Sequence, residues 1–377
     1  MRKNVAVIFG GKSCENEVSV ITGTMTANLL RGENYTVYPV YVSQTGAAYT
    51  GDALFDVSVF QGGVYRKKCA RAVFYDGGLY EVKGKHIRSL CKLDCALNCC
   101  HGTGGEDGAV AGFLDLSGIA SASPDIAGSA LFMDKVLTKL AAKALGVNAA
   151  SYFRICEGDY RKRGAMAVRC IEERLGYPVI VKPARLGSSI GIAVAENREE
   201  LLRAIDCGFR YDTLLLAEKY LAGAREINCA AYKNGENVIV SECEEPKTSN
   251  KILTFSDKYL KGGKERSGDF PAKISKESSE RIKAYTKLLY RRLNLRGVVR
   301  ADYLLYEGEV YFNEMNTVPG SLAWYLFSDR LSDHAQVLSA LVEQGIADAR
   351  EKAGKTLLKN SGVLRALPVG KARKTRV

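Results

Sequence analysis

Short apolar runs that end at glycine-rich turns recur over the first 126 residues. The run "VAVIF" leads through "GGKSCENE" into a helical stretch, "VYPVYV" follows it, and "CALNCC" precedes the loop "HGTGGEDG". A strand, a glycine turn and a helix in this order are typical of an α/β fold, in which loops at the carboxyl ends of strands meet ligands. The pattern therefore predicts an α/β domain over residues 1–126.

The pattern changes after residue 126. A helix is predicted over "SALFMDKVLTKLAAKALG", ending at Gly146, and the apolar runs "PVIVKP" and "IAVA" predict two strands beyond it. The loop "RLGSSIG" between these strands offers backbone amides and hydroxyls that suit phosphates, and Lys182 lies on the strand that enters it. An ordinary hairpin with a surface lysine is the alternative. We prefer a phosphate-binding loop in a second domain, residues 127–215.

A third domain is predicted over residues 216–350. Its first segments, "LLLAEKYLAGAREINCAAY" and "NVIVSEC", have the composition of strands. A long basic loop at residues 254–275 then leads to a helix and a final hairpin. Long loops of this kind are often lids, with disorder as the alternative. Residues 351–377 form a basic tail.

The final hairpin, "VVRADYLLYEGEVYFNEMN", carries an unusual set of polar residues. If it folds about Gly308, Asp302 lies opposite Glu314 and Arg300 lies opposite Asn316. All four share one face, because side chains two apart on a strand point the same way. The other face then carries Val299, Ala301 and Tyr303.

Opposed carboxylates suggest a cation at this hairpin. Like charges directly opposite each other destabilise a strand pair, and a cation between them removes that cost. Two carboxylates and an amide oxygen suit Mg²⁺, which prefers oxygen ligands and often takes substrate phosphates as well. We prefer this metal site to a solvated hairpin face.

The composition describes a globular protein of two or three domains, with 377 residues, 46% hydrophobic and 25% charged. No apolar run approaches the roughly 20 residues of a membrane span. The start, "MRKNVAVIFGGKS", lacks the apolar segment of a signal peptide, so we expect a cytoplasmic protein without a membrane partner. Eleven scattered cysteines indicate reduced thiols. Four of them lack the paired spacing of a zinc site, and their alternation places them on one strand: Cys91, Cys95, Cys99 and Cys100.

The formal net charge is +12, and residues 351–377 hold five Lys and three Arg against one Glu, a net charge of +7. A basic tail can bind nucleic acid. No nucleic-acid-binding motif accompanies it, so we interpret it as a solvated chain end and do not expect a nucleic-acid partner. The remaining +5 suits anionic ligands.

These segments together resemble the ATP-grasp fold and, within it, the D-alanine–D-alanine ligase family, which includes the vancomycin-resistance ligases that make D-alanyl-D-lactate or D-alanyl-D-serine. The resemblance runs from about residue 4 to residue 345. Its motifs, in order, are "VIFGGKSCENEVS", "HGTGGEDG", "MDK", "VIVKPARLGSS", "AEKYLAG", "DKY", "RAD" and "NEMNTVPG". It implies an α/β protein, α+β in the ATP-grasp part, with an N-terminal Rossmann-like domain followed by a two-subdomain ATP-grasp fold.

The resemblance also implies roles for single residues. ATP is the expected cofactor, with two Mg²⁺ ions or, as an alternative, Mn²⁺. Asp302, Glu314 and Asn316 match the metal ligands, and Arg300 matches the arginine that stabilises the oxyanion, helped by the Gly320 amide. The nucleotide contacts match Lys135, Lys182, Glu218, Lys219, Leu221, Glu226 and, on the lid, Lys258. At Glu226 the segment "AGAREIN" aligns in two ways.

The implied reaction joins two D-alanine molecules for peptidoglycan precursor synthesis. ATP phosphorylates the carboxylate of one D-alanine, and the amine of the second displaces phosphate. Glu15 matches the residue that holds the first substrate's ammonium, with Ser188 and Tyr259 as hydrogen-bonded partners and His101 nearby. D-alanine and ATP are thus the small-molecule partners, and a homodimer is expected because the family is commonly dimeric.

The resemblance weakens at the second-substrate site. After "NTVPG" the family usually has Phe-Thr and then a serine that binds the second substrate's carboxylate. This chain continues "SLAWYLF", which places Tyr325 where that serine stands and leaves Ser321 as a substitute. The acceptor therefore stays open, with D-serine, D-lactate or another amino acid as alternatives. An inactive nucleotide-binding relative is a further alternative, and the retained metal and lysine residues argue against it.

Overall fold

The computed structural model describes residues 2–247, 268–355 and 362. Its helices are α1 (Asn16–Leu30), α2 (Tyr65–Lys68), α3 (Ala109–Leu116), α4 (Ile126–Met133), α5 (Lys135–Ala144), α6 (Glu157–Leu175), α7 (Arg198–Gly208), α8 (Lys276–Arg292), α9 (Trp324–Phe327) and α10 (His334–Ala353). Its strands are β1 (Lys3–Gly10), β2 (Tyr35–Val42), β3 (Ala48–Thr50), β4 (Ala70–Tyr75), β5 (Gly78–Lys83), β6 (His86–Lys92), β7 (Cys95–Asn98), β8 (Tyr152–Cys156), β9 (Val179–Pro183), β10 (Ala193–Ala195), β11 (Leu214–Lys219), β12 (Arg225–Asn234), β13 (Asn237–Val240), β14 (Glu245–Pro246), β15 (Gly268–Asp269), β16 (Val298–Tyr306) and β17 (Glu309–Asn316).

The N-terminal sheet has the strand order β6-β5-β4-β3-β2-β1-β7. Strand β1 is parallel to both β2 and β7, and its apolar side chains Val5, Val7 and Phe9 are fully buried. This part confirms the predicted α/β pattern. The strands β2 to β6 pair antiparallel instead of alternating with helices. One reason is the two-residue turn at Asp76 and Gly77, whose positive φ angles of 46° and 69° suit a tight hairpin.

The expected single strand of cysteines is wrong. Cys91 lies in β6 and Cys95 in β7, which form opposite edges of the seven-stranded sheet. Cys99 and Cys100 follow β7 and are buried. The alternating pattern continued across "KLD", where the chain leaves one edge and enters the other.

The second sheet is antiparallel, with the order β10-β9-β11-β8. The single helix predicted to precede it is two helices, because Asp134 ends α4 and caps α5. The Asp134 side chain accepts hydrogen bonds from the backbone amides of Val136 and Leu137 at 2.9 and 3.1 Å. The backbone amide of Lys135 then donates to the Ala184 carbonyl at 2.9 Å, which places the start of α5 beside the end of β9.

The third sheet, in the order β13-β12-β16-β17, carries the final hairpin. Val299, Ala301 and Tyr303 are fully buried in a core to which α8 contributes Ile282 and Leu289, as the strand alternation predicted.

Two predicted segments fall mainly outside the described residues: residues 254–267 of the lid, and residues 356–361 and 363–377 of the tail. Within the described part of the chain, no helix is both long and apolar enough to cross a membrane. The domain boundaries after residues 126, 215 and 350 stay predictions.

Candidate active site

The polar face of the final hairpin has the predicted pairing. Asp302 is opposite Glu314, and Arg300 is opposite Asn316, across β16 and β17. The Asp302 carboxylate accepts hydrogen bonds from Arg300 Nε and Nη2 at 2.7 and 2.8 Å and from Asn316 Nδ2 at 2.9 Å. Arg300 Nη1 also donates to Tyr325 Oη at 3.2 Å. One face of the hairpin therefore gathers a buried carboxylate, a guanidinium and an amide, and the phenol of Tyr325 reaches it from α9.

The hairpin does not fold about Gly308 alone. Tyr306 pairs with Glu309 across a two-residue turn, and the register shifts by one residue between Asp302 and Tyr303. A β-bulge at Asn313 takes up the extra residue, and Asn313 Oδ1 accepts from Lys182 Nζ at 3.3 Å. The bulge thus joins the hairpin to the second sheet, which the sequence did not predict.

The donor set on this face fits Mg²⁺. Asp302 and Glu314 are opposed carboxylates, and a half-turn of the Asn316 amide would present its oxygen beside them. Among the described residues, no three His, Cys, Asp or Glu side chains form a cluster that could hold a metal. A metal here would therefore depend on the amide and on phosphate oxygens as further ligands.

Two lysines lie at the Gly/Ser loop: Lys182, as the sequence predicted, and Lys135, which the sequence did not place there. Lys182 is buried at the end of β9, and Lys135 Nζ donates to the Leu186 carbonyl of the loop at 2.6 Å. Ser188 and Ser189 in this loop have positive φ angles of 54° and 59°, which non-glycine residues adopt only where their surroundings hold them.

Glu218 lies between Lys182 and a third lysine, Lys139. Lys182 Nζ is 2.5 Å from Glu218 Oε2, and Lys139 Nζ is 2.7 Å from Glu218 Oε1. Burial raises the pKa of Glu218, but the two lysines outweigh burial and bring it to about 2. Burial lowers the pKa of Lys139, and Glu218 opposes that shift.

Sequence reasoning missed Lys139, although a signal was present. It lies four residues after Lys135 in "MDKVLTK", on the same face of α5 as the buried Val136. A lysine on the buried face of a helix is rare unless it is paired.

The other predicted nucleotide residues lie between the end of β11 and the start of β12. Lys219 Nζ donates to the Tyr177 carbonyl at 3.2 Å, and Leu221 lies in the turn after β11. Burial lowers the pKa of Lys182, but Glu218 and, to a smaller extent, Glu314 and Glu226 outweigh burial and raise it. Arg225, the neighbour of Glu226, pairs with Glu245 at 2.5 Å, and the role of Glu226 stays a prediction.

Glu15 is buried at the start of α1 and accepts a short hydrogen bond from Ser188 Oγ. Its other oxygen lies against Gly102, where an added Cβ would be 2.7 Å from Glu15 Oε2. The Gly102 φ angle of 70° also favours glycine. The residues that the resemblance paired therefore meet, although 173 positions separate them.

A second carboxyl, Glu106, lies close to Glu15. The Gly102 amide donates to Glu106 Oε2 at 3.0 Å. Burial and then the charge of Glu15 raise the pKa of Glu106 to about 8. Two mutually repelling acids make this pocket suited to a cationic group such as an ammonium.

His101 is buried between α1 and the loop after β17. Its Nδ1 is 2.8 Å from the Val318 carbonyl oxygen, so Nδ1 carries the proton. Nε2 then accepts from Thr22 Oγ1 at 2.8 Å, and Thr22 Oγ1 accepts from the Ser321 amide at 3.1 Å. Burial lowers the pKa of His101 to about 4, and Arg300 acts in the same direction. His101 thus holds the "NTVPGS" loop in place.

The loop after β17 is strained where the resemblance weakened. Ser321, Leu322 and Ala323 have consecutive positive φ angles of 50°, 51° and 53°. Gly320 begins this turn, and Tyr325 follows it in α9. The remaining predicted site residues, Lys258 and Tyr259, lie outside the described residues.

Comparison with known proteins identifies two family models on this chain. Residues 4–123 match the model "D-ala D-ala ligase N-terminus", and residues 141–347 match "D-ala D-ala ligase C-terminus". A D-alanine–D-alanine ligase of Thermosipho melanesiensis is 34% identical over 357 residues, covering 93% of this chain and 95% of the relative.

Solved structures agree. The D-alanine–D-alanine ligase of Helicobacter pylori is 29% identical, with a TM-score of 0.73, and the match covers 91% of this chain and 98% of that one. The VanG D-Ala:D-Ser ligase of Enterococcus faecalis is 26% identical, with a TM-score of 0.77, and the match covers 91% of this chain and all of that one. The chain therefore belongs to the D-alanine–D-alanine ligase family.

Proposed function

We propose that the chain is an ATP-dependent ligase that joins two D-alanine molecules into D-alanyl-D-alanine for peptidoglycan precursor synthesis. The contact between Glu15 and Ser188 carries this proposal. It sets an acidic pocket beside the Gly/Ser loop, so an amino acid and a nucleotide phosphate would meet there. Family membership supplies the reaction class.

The nucleotide would bind between the second and third sheets. Lys135 and Lys182 would hold its phosphates, since both lie at the Gly/Ser loop. The adenine and ribose would lie against the turn after β11, at Glu218, Lys219, Leu221 and Glu226, with Lys258 closing from the predicted lid.

The first D-alanine would place its ammonium at Glu15. Ser188 and Tyr259 would complete this contact, and Glu106 would add a second carboxyl to the pocket. His101 would act without touching the substrate, by holding the Val318 carbonyl and the Thr22 hydroxyl beside the site.

Two Mg²⁺ ions, or Mn²⁺, would bind at Asp302, Glu314 and Asn316. When bound, the metal would neutralise charge on the transferred phosphoryl group. Arg300 and the Gly320 amide would stabilise the oxyanion that forms when the second amine attacks the acyl phosphate. Exclusion of water would protect the acyl phosphate from hydrolysis.

The acceptor half of the site differs from the family pattern, because Tyr325 and Ser321 stand where the family has other residues. D-serine, D-lactate or another amino acid as acceptor is the second candidate function, favoured by the Tyr325 contact with Arg300. A cytoplasmic location, where ATP is supplied, and a homodimer, as is common in the family, complete the proposal. Analytical ultracentrifugation would test the dimer.

One assay tests the proposed reaction. Purified protein would be incubated with ATP, Mg²⁺ and D-alanine, alone and with D-serine, D-lactate or L-amino acids. Phosphate release would be followed over time, and mass spectrometry would identify the products. D-alanyl-D-alanine is the expected product, and Asp302→Asn is the expected inactive control. A mixed product would establish the altered-acceptor alternative. Absence of turnover with every pair would favour an inactive nucleotide-binding relative.

A further inference from the structure

Lys139 occupies a position that the roles proposed above leave unexplained. Its side chain is only 2% exposed, and its Nζ lies 2.7 Å from Glu218 Oε1. The same Nζ donates to the Phe312 carbonyl at 3.2 Å, one residue before the bulge at Asn313. Both partners are acceptors, and the burial leaves Lys139 no direct path to a ligand.

Lys139, Lys182 and Glu218 together carry one net positive charge. Lys139 and Lys182 each lie on one oxygen of the Glu218 carboxylate, so two cations share one anion. If Lys139 were absent, Glu218 would balance Lys182 completely. A lysine whose charge is already balanced attracts phosphate less than one with charge to spare. Glu314 and Glu226 are further carboxylates that act on Lys182, so without Lys139 three carboxylates would compete with a phosphate for the charge of Lys182.

We propose that Lys139 is a positioning residue for nucleotide phosphates: it neutralises Glu218, so that the charge of Lys182 stays available to the ligand. This inference rests on the proposed phosphate role of Lys182. It assigns Lys139 an effect on phosphate affinity without contact between Lys139 and the nucleotide. Through Phe312, Lys139 also ties the second sheet to the strand that carries Glu314.

A merely structural ion pair would behave differently. Removing one member of a buried pair destabilises a protein whatever ligand is present. The charge-balance role instead predicts an effect that depends on the phosphates and that a second, charge-restoring substitution reverses.

The test is a double-mutant cycle on phosphate binding. Lys139→Met, Glu218→Gln and the double variant would be titrated by calorimetry with tripolyphosphate, and with adenosine as the ligand without phosphates. Lys139→Arg keeps the charge, and Lys143→Met removes an exposed lysine from the same helix as the matched control. Circular dichroism and thermal unfolding would establish that each variant is folded.

Lys139→Met is expected to weaken tripolyphosphate binding by roughly tenfold or more, equivalent to about 1.4 kcal/mol, and adenosine binding by much less. The double variant should recover to within about threefold of the unmodified protein, because Lys182 again lacks a competing anion. Glu218→Gln alone should strengthen tripolyphosphate binding. This result tests whether Glu218 competes with phosphate for Lys182 even if Lys139→Met does not fold. Lys139→Arg and Lys143→Met should bind as the unmodified protein does.

The role of Lys139 would be overturned by a double variant that binds tripolyphosphate as weakly as Lys139→Met. It would also be overturned by a Glu218→Gln variant that binds tripolyphosphate no better than the unmodified protein. Neither outcome would affect the proposed phosphate role of Lys182. Equal losses for tripolyphosphate and adenosine would overturn the role of Lys139 too. Failure of the unmodified protein to bind tripolyphosphate would overturn both this inference and the phosphate role of Lys182.

Discussion

Arg300 donates to both carboxylate oxygens of Asp302, at 2.7 and 2.8 Å, although the two residues lie only two positions apart on one strand. Such a two-point contact needs the planar guanidinium and fixes both side chains. It also keeps a buried carboxylate paired where the metal is proposed to bind. The groups proposed to stabilise the oxyanion and to bind metal are therefore held in place by the same contact.

Arg300→Lys is expected to reduce kcat by about 100-fold, because lysine keeps the charge but loses the forked geometry. Steady-state phosphate release measures this. Arg281→Lys, on the surface of α8, is the matched control and should leave kcat unchanged. Activity of Arg300→Lys within about twofold of the unmodified enzyme would remove Arg300 from the proposed chemistry.

Gly102→Ala is expected to raise the KM for the first D-alanine, because the added Cβ would lie 2.7 Å from Glu15 Oε2. The effect should exceed about tenfold and leave the KM for ATP nearly unchanged. Gly104→Ala is the control: its φ angle of 85° imposes similar backbone strain, but its Cβ would meet no atom within 4 Å. Equal effects of the two substitutions would show that strain, and not the position of Glu15, is responsible.

Tyr325→Phe removes the hydroxyl that accepts from Arg300 Nη1 at 3.2 Å while keeping the ring. One lost hydrogen bond corresponds to about 1 kcal/mol, so kcat/KM for the acceptor should fall roughly fivefold. Tyr325→Ser restores the residue type usual in the family, and we expect it to shift the product ratio when D-alanine and D-serine compete. Tyr211→Phe, at an exposed tyrosine, is the control. Unchanged acceptor kinetics in both Tyr325 variants would place this side chain outside the acceptor site.

His101 makes stability depend on pH in a defined direction. Its folded pKa of about 4 lies below its ordinary value of 6.5, so the unfolded chain binds more protons between these values. The stabilisation is fully present above about pH 6.5 and is lost as the pH falls toward 4. Between about pH 7.5 and pH 5, His101 should account for about 2 kcal/mol of the decrease in the free energy of unfolding.

Urea denaturation of the unmodified protein, His101→Gln and the exposed-site control His86→Gln at both pH values measures this contribution. His101→Gln should lose less stability on acidification than the other two proteins. The same decrease in all three would mean that His101 does not titrate as its burial requires.

Several features of the site followed from sequence because they depend on short-range geometry. The alternation of side chains along a strand placed Arg300, Asp302, Glu314 and Asn316 on one face, and it placed Val299 in the core. The Gly/Ser loop and Lys182 were recognisable because their residue types stand between two apolar runs that predict strands. The order of motifs then indicated the family, which the comparisons confirmed.

Other features depended on contacts that local sequence does not encode. Helix α5 begins at Lys135 because Asp134 caps it and Ala184 binds its first amide, whereas helical periodicity alone runs on across this break. The Asn313 bulge is fixed by Lys182, which lies 131 positions away. Local patterning cannot predict a one-residue insertion whose partner belongs to another sheet.

Periodicity and side-chain chemistry are local properties, so the sequence alone indicated which side of the final hairpin faces the core and which residue types could bind metal and phosphate. The pairing of Lys139 with Glu218 and the link that His101 makes between Thr22 and Val318 appear only in the folded chain. The physical reason is burial: a lysine or histidine takes its charge state and its partner from the segments that close around it.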